Sequence, residues 1–102
     1  HLTKLQNDEW SSAQFVIAKS HHDLGEYENA LREYLKMIYN PQGSVNWLAN
    51  AFMGRAQCFR ALGRAREAYA ELDKISARFS GTAFVLQAEQ MRAEMDKELR
   101  RQ

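Results

Sequence analysis

Two stretches of this 102-residue chain are versions of one another: Leu24-Gly25-Glu26-Tyr27-Glu28-Asn29-Ala30-Leu31 and Leu62-Gly63-Arg64-Ala65-Arg66-Glu67-Ala68-Tyr69. Their glycines and their alanines are separated by the same offset, 38 residues. At that offset Ala13/Ala51, Ala18/Ala56, Leu24/Leu62, Glu33/Glu71 and Lys36/Lys74 are also identical, while Tyr34/Leu72 and Met37/Ile75 match as large apolar residues. A fixed period in this range marks supersecondary units that cannot bury their apolar faces alone and share one core by stacking. That periodicity constrains the fold more than any other feature of the chain.

Each stretch reads as a hinge between two helices. Glycine just past a helical run can take the left-handed conformation that closes a helix, at no side-chain cost. Ala30 and Ala68 follow at the same distance, small enough for two helices to cross closely. Tyr34 or Leu72, then Met37 or Ile75, complete the apolar face of the second helix. The pattern resembles the tetratricopeptide repeat, in which a helix A, a tight turn and an alanine-marked helix B recur about every 34 residues. The resemblance covers Ser11 to the C-terminus. It implies an all-α, antiparallel helix-pair solenoid of about two repeats plus a capping helix, five helices in one domain. Repeat 1 is expected at about 8–40, repeat 2 at about 44–79 and the cap at about 82–101 of the 102 residues. Two departures stand out. Arg55 occupies a position where the family has leucine, and His21 one where it has an aromatic, so the first helix pair is expected to pack less regularly.

In chain order, Leu2 and Leu5 sit at helical spacing and suit the tail of an earlier helix. Asn7 or Asp8 suits an N-cap. The first A helix then runs to about Leu24, with Trp10, Ala13, Ile17, His21 and Leu24 on one face. The first B helix spans Tyr27 to Tyr39 and ends at Asn40-Pro41-Gln42-Gly43. Ser44 caps the second A helix, which carries Trp47, Ala51, Phe52, Ala56 and Phe59 and runs to Leu62. The second B helix spans Ala65 to Phe79. Thr82 suits the cap of the last helix, where Phe84, Ala88, Met91, Met95 and Leu99 form one apolar stripe among charged neighbours. The beginning of the chain shows no such cap, which predicts that further repeats or a second subunit cover it. A start at His1 rather than Met reads as a piece of a longer protein.

Chemistry is sparse. His21-His22-Asp23 invites a metal reading, but adjacent helical residues point about 100° apart and cannot chelate together. Cys58 stands alone, away from a helix N-terminus, and reads as a buried inert thiol. No phosphate loop or nucleophile elbow is present. The expectation is no catalytic residue, no metal, no cofactor and no enzyme. With 14 basic and 13 acidic residues intermixed, net charge is +1, so nothing marks a nucleic-acid or anionic-membrane surface. No apolar run approaches a membrane span.

In tetratricopeptide arrays the A helices line a concave groove that takes peptides or partner helices. The resemblance places Phe15, Lys19 and His22, with Ser12, on this surface of the first A helix. On the second A helix it places Asn46, Asn50, Met53, Gln57 and Arg60. Asn and Gln offer both donors and acceptors to an extended backbone, and Phe15 with Met53 suits an apolar anchor pocket. The resemblance also argues against the subclass that grips C-terminal carboxylates. Phe15, Gly54 and Ala88 stand at its cationic clamp positions, with only Lys19 basic nearby. The expected function is a non-catalytic module that binds a protein or peptide partner in the groove. The alternative is a self-associating scaffold, a homo-oligomer, within a larger protein. The segment Ala77-Arg78-Phe79-Ser80-Gly81-Thr82-Ala83 before a lone helix resembles the ends of bacterial cell-envelope tetratricopeptide proteins, which implies a bacterial periplasmic or cytoplasmic setting.

Overall fold

The two glycine hinges close in the same way. In the computed structural model, which describes residues 4–102, with side chains from Gln6 onward, Gly25 and Gly63 adopt φ of 78° and 73°. Glu26 N donates to His21 O at 2.9 Å and Gly25 N to His22 O at 3.0 Å. The second hinge repeats the pair, with Arg64 N donating to Phe59 O at 2.8 Å and Gly63 N to Arg60 O at 3.1 Å. This is the Schellman closure, in which two amides past the helix end satisfy carbonyls of its last turn. A Cβ at either glycine would meet nothing within 4 Å, so the backbone conformation, not space, demands glycine there.

Around the hinges stand five α-helices: α1 (Lys4–Asp23), α2 (Tyr27–Tyr39), α3 (Val45–Ala61), α4 (Ala65–Arg78) and α5 (Ala83–Arg100). Among the described residues there is no strand. Each helix packs on the next, and α1 and α5 also touch α3. Neighbouring helices are antiparallel, because a later residue of one meets an earlier residue of the next. Gln14 meets Glu33 and His22 meets Tyr27, Leu31 meets Arg55 and Tyr34 meets Gly54, Phe52 meets Arg78 and Phe59 meets Arg64, and Tyr69 meets Asp96 while Asp73 meets Arg92. The helices α1, α3 and α5 therefore form one side of the molecule and run parallel to one another.

The core lies where the repeat predicts it for the B helices. Ala30 and Ala68 are both 0% exposed at the crossings, and Tyr34, Met37, Leu72 and Ile75 are buried beside them. Ala51, Phe52, Ala56 and Phe59 of α3 complete the centre, with Phe79, Ala88, Met91 and Met95 beyond. Arginines cover the aromatic rings. Arg64 and Arg55 both lie over the Phe59 ring, at 4.9 and 5.2 Å from its centroid, a favourable alignment of cation and ring quadrupole.

Several expectations need correction. The buried face of α1 is Ser11, Gln14 and Ala18, with Phe15 and His22 half-buried; Ala13, Ile17 and Leu24 face outward. Ser11 and Gln14 turn inward because each finds a partner: Ser11 Oγ donates to Gln42 O at 2.6 Å, and Gln14 Nε2 donates to Glu33 O and Oε2 at 2.9 and 2.8 Å. The helix α1 already includes Lys4, so neither Asn7 nor Asp8 caps it. The Asp8 carboxylate instead accepts from Ser44 N at 2.8 Å and holds the start of α3. Ser44 itself caps α3, its Oγ accepting from Asn46 N. Thr82 makes no side-chain cap; its hydroxyl donates to Phe79 O at 2.6 Å. Leu99 continues the α5 stripe by its helical position but is exposed, unlike Ala88, Met91 and Met95. Leu2 falls outside the described residues, as does the Leu5 side chain.

Arg55, where an apolar residue was expected, is accommodated by reaching across two helices. Its Nη1 donates to Leu31 O of α2 at 2.9 Å, and its Nε lies 3.6 Å from Oε1 of the buried Glu71 on α4. Lys74 adds a second cation 3.3 Å from the same oxygen. Both cations thus lie at Oε1, which offsets the burial of the charge only in part, since Glu71 Oε2 and Arg55 Nε are buried without a hydrogen-bond partner.

Candidate interaction groove

The polar row of α3 opens into two clefts on the α1/α3/α5 side. The first, about 380 Å³, is lined by Asp8, Ser44, Asn46, Trp47 and Asn50. The second, about 290 Å³, lies between α3 and α5 and is lined by Met53, Gln57, Arg60, Gln87, Gln90, Met91 and Glu94. All five α3 residues expected in the groove therefore border one cleft or the other. The reason is the helical spacing, which turns every third or fourth residue of α3 to the same side.

The four residues expected from α1 line neither cleft. Phe15 wedges between α2 and α3, its ring centroid 5.9 Å from those of both Tyr34 and Trp47. Lys19 is exposed and pairs with Asp23 at 2.5 Å one turn on. The Nδ1 of His22 lies 3.2 Å from the Tyr34 hydroxyl. Burial, and next the positive charge of Lys19, hold its imidazole below the ordinary histidine value. Ser12 is half-buried.

Met53 is 8% exposed and belongs to the core. With Met91, also buried, it forms an apolar floor under Gln57, Gln87 and Gln90 rather than a protruding anchor. Arg60 is held by two carboxylates of α5, Glu94 at 3.2 Å and Glu98. Those bonds raise the guanidinium pKa and lower that of Glu98. Glu94 and Glu98 already occupy the Arg60 guanidinium, so it is not a free cation for a carboxylate ligand. Gly54 and Ala88, placed by the resemblance at clamp positions, are both buried.

Sequence reasoning missed the α5 wall. Gln87, Gln90 and Glu94 follow one another at spacings of three and four, as Met53, Gln57 and Arg60 do on α3. That parallel was the available signal, hidden because α5 lacks a B helix to fix its register. Trp47 was assigned to the packed face of α3 and also borders the first cleft.

The remaining candidates carry little chemistry. Burial pushes the Cys58 thiol up to about 11, which leaves it unionised and unreactive near neutral pH. Among the described residues no group of three or more His, Cys, Asp or Glu side chains is placed to hold a metal ion. None of the helices there is long and apolar enough to cross a membrane. Comparison with protein families, with curated proteins and with solved structures gives no significant match for this chain.

Proposed function

We propose that the chain is a tetratricopeptide-like module, non-catalytic, that binds an extended peptide of a partner protein along α3. The observation that carries this reading is the row Asn46, Asn50, Met53, Gln57 and Arg60 bordering two clefts on the side shared by α1, α3 and α5. The 38-residue repeat and the duplicated glycine hinge support a solenoid of helix pairs with a closing helix. In such a solenoid the A helices form the receiving surface. Three glutamines over a methionine floor suit a peptide backbone, since each amide both donates and accepts while the apolar floor takes a side chain. Arg60, already paired with Glu94 and Glu98, leaves that end to neutral residues of the ligand rather than to its carboxylate.

Selection of displayed peptides on the immobilised domain tests this. Selected peptides should lose about tenfold or more in affinity when Gln57 and Gln90 are both changed to alanine, while the melting temperature stays close to wild type. Equal binding to that double variant would remove the groove as the site. Light scattering over a wide concentration range decides the competing scaffold reading, which requires oligomers.

A further inference from the structure

The two clefts along α3 offer a ligand different chemistry. Asp8, Trp47 and Asn50 meet at the first, with Ser44 and Asn46 at its edge and no cation among its described lining residues. Asp8 and Trp47 are half-buried there, and the Phe15 ring, 5.9 Å from that of Trp47, packs against the indole. At the second cleft Met53 and Met91 form the floor, and the one arginine, Arg60, is already held by Glu94 and Glu98.

The first cleft opens at the start of α3, where helix amides ordinarily draw an anion. Here those amides are engaged. Asn46 N donates to Ser44 Oγ at 3.2 Å, and Trp47 N to Ser44 O at 3.1 Å. Ser44 N donates to Asp8 Oδ1 at 2.8 Å, so the negative charge at this helix end comes from the chain itself. A second anion would meet the Asp8 carboxylate with the wrong sign, whereas a cation would meet it with the right one.

We infer that the first cleft takes a basic side chain of the bound peptide, arginine in preference to lysine, and that an apolar side chain four residues away enters the second. This rests on the groove reading proposed above. A guanidinium can donate to the Asp8 carboxylate and the Asn50 amide oxygen while its planar face lies on the indole of Trp47. The α3 residues of the two clefts, Asn46, Trp47 and Asn50 against Met53, Gln57 and Arg60, have midpoints about nine residues apart, or about 13 Å at the helical rise. An extended chain advances about 3.3 Å per residue, so about four residues bridge that distance. An even separation also turns both side chains to the same face of an extended peptide.

The test begins with selection of random displayed peptides, long enough to span both clefts, on the whole chain. Arginine or lysine should be enriched four residues from methionine or leucine. A fluorescein-labelled selected peptide should lose about tenfold in affinity when its arginine is replaced by citrulline, which keeps the shape and removes the charge. That comparison uses the unaltered domain and needs no variant to fold. Asp8→Asn retains an oxygen for Ser44 N and should weaken the arginine peptide by about the same factor, while leaving the citrulline peptide unaffected. Peptides that weaken on joint Gln57→Ala and Gln90→Ala substitution, yet lose nothing with citrulline or with Asp8→Asn, would overturn this inference and leave the groove reading standing. Peptides indifferent to all of these changes would overturn both.

Discussion

Tyr34 of α2 packs directly on the bare backbone of Gly54 in α3. A Cβ at Gly54 would lie 2.6 and 2.7 Å from Cε1 and Cε2 of that ring, closer than packed carbons tolerate. Gly54→Ala should therefore destabilise the domain, by about 1–3 kcal/mol, although alanine is the better helix former. Thermal unfolding checks this. Adding Tyr34→Leu, which removes the offending ring, should make the double variant more stable than the sum of the two single effects predicts.

Glu71 is buried and held by Arg55 and Lys74. Glu71→Ala strands the Arg55 guanidinium in the interior and should cost about 3 kcal/mol or more in denaturant unfolding. Replacing both, Arg55→Leu with Glu71→Leu, should recover most of that loss, because apolar side chains avoid the desolvation of the ions. If the double variant is as unstable as Glu71→Ala, the pair contributes more than charge compensation.

His22 makes stability depend on pH between neutral and mildly acidic conditions. Its folded-state pKa lies below the ordinary 6.5, chiefly through burial and then through Lys19. When its ring is neutral with the proton on Nε2, Nδ1 accepts from the Tyr34 hydroxyl; protonation at Nδ1 reverses that bond and places a charge in a partly buried site beside Lys19. Because the unfolded chain binds the proton more readily, the contribution is complete above the unfolded pKa and is lost as pH falls through the folded one. The melting temperature should drop as pH falls through and below the ordinary histidine value of 6.5, and His22→Gln should flatten that slope. Glu33, held below its ordinary 4.5 by Lys36 and Gln14, has its window below that value and does not interfere.

Phe15 is expected to matter for folding rather than for ligand binding. Its ring contacts Tyr34 and Trp47 while remaining half-buried. Phe15→Ala should cost about 2–3 kcal/mol, below the range for a fully buried ring, as read by urea unfolding. Peptides selected on the groove should keep their affinity for this variant at temperatures where it is folded.

The B helices were legible because their signals are local: a glycine hinge, a small residue at the crossing and large apolar residues one face apart. Both Ala30 and Ala68 lie where that pattern places them. On α1 the same reasoning misled. Periodicity identifies Ala13, Ile17 and Leu24 as an apolar face, but nothing in the pattern says whether another helix covers it. Ser11 and Gln14 were unreadable for the converse reason, since they are buried on account of acceptors 31 and 19 residues away in sequence. The groove was half legible. The α3 row follows from one helix's spacing, whereas the α5 wall needs the tertiary placement of a helix whose repeat is incomplete.

The two ends of the α3 surface are fastened by different forces. At the start of α3, Asp8 and Ser11 grip residues 42–44 through short, partly buried hydrogen bonds to the backbone. At its other end α5 is tied by the largely exposed Arg60–Glu94/Glu98 ion pairs, which mobile ions in solution weaken. The surface thus behaves like a jaw pinned at one side and latched at the other. Added salt should loosen the latch and leave the pin intact, while the buried Ala88, Met91 and Met95 keep α5 seated, so ionic strength would act on the polar rim of the α3–α5 cleft and not on the α1–α3 spacing.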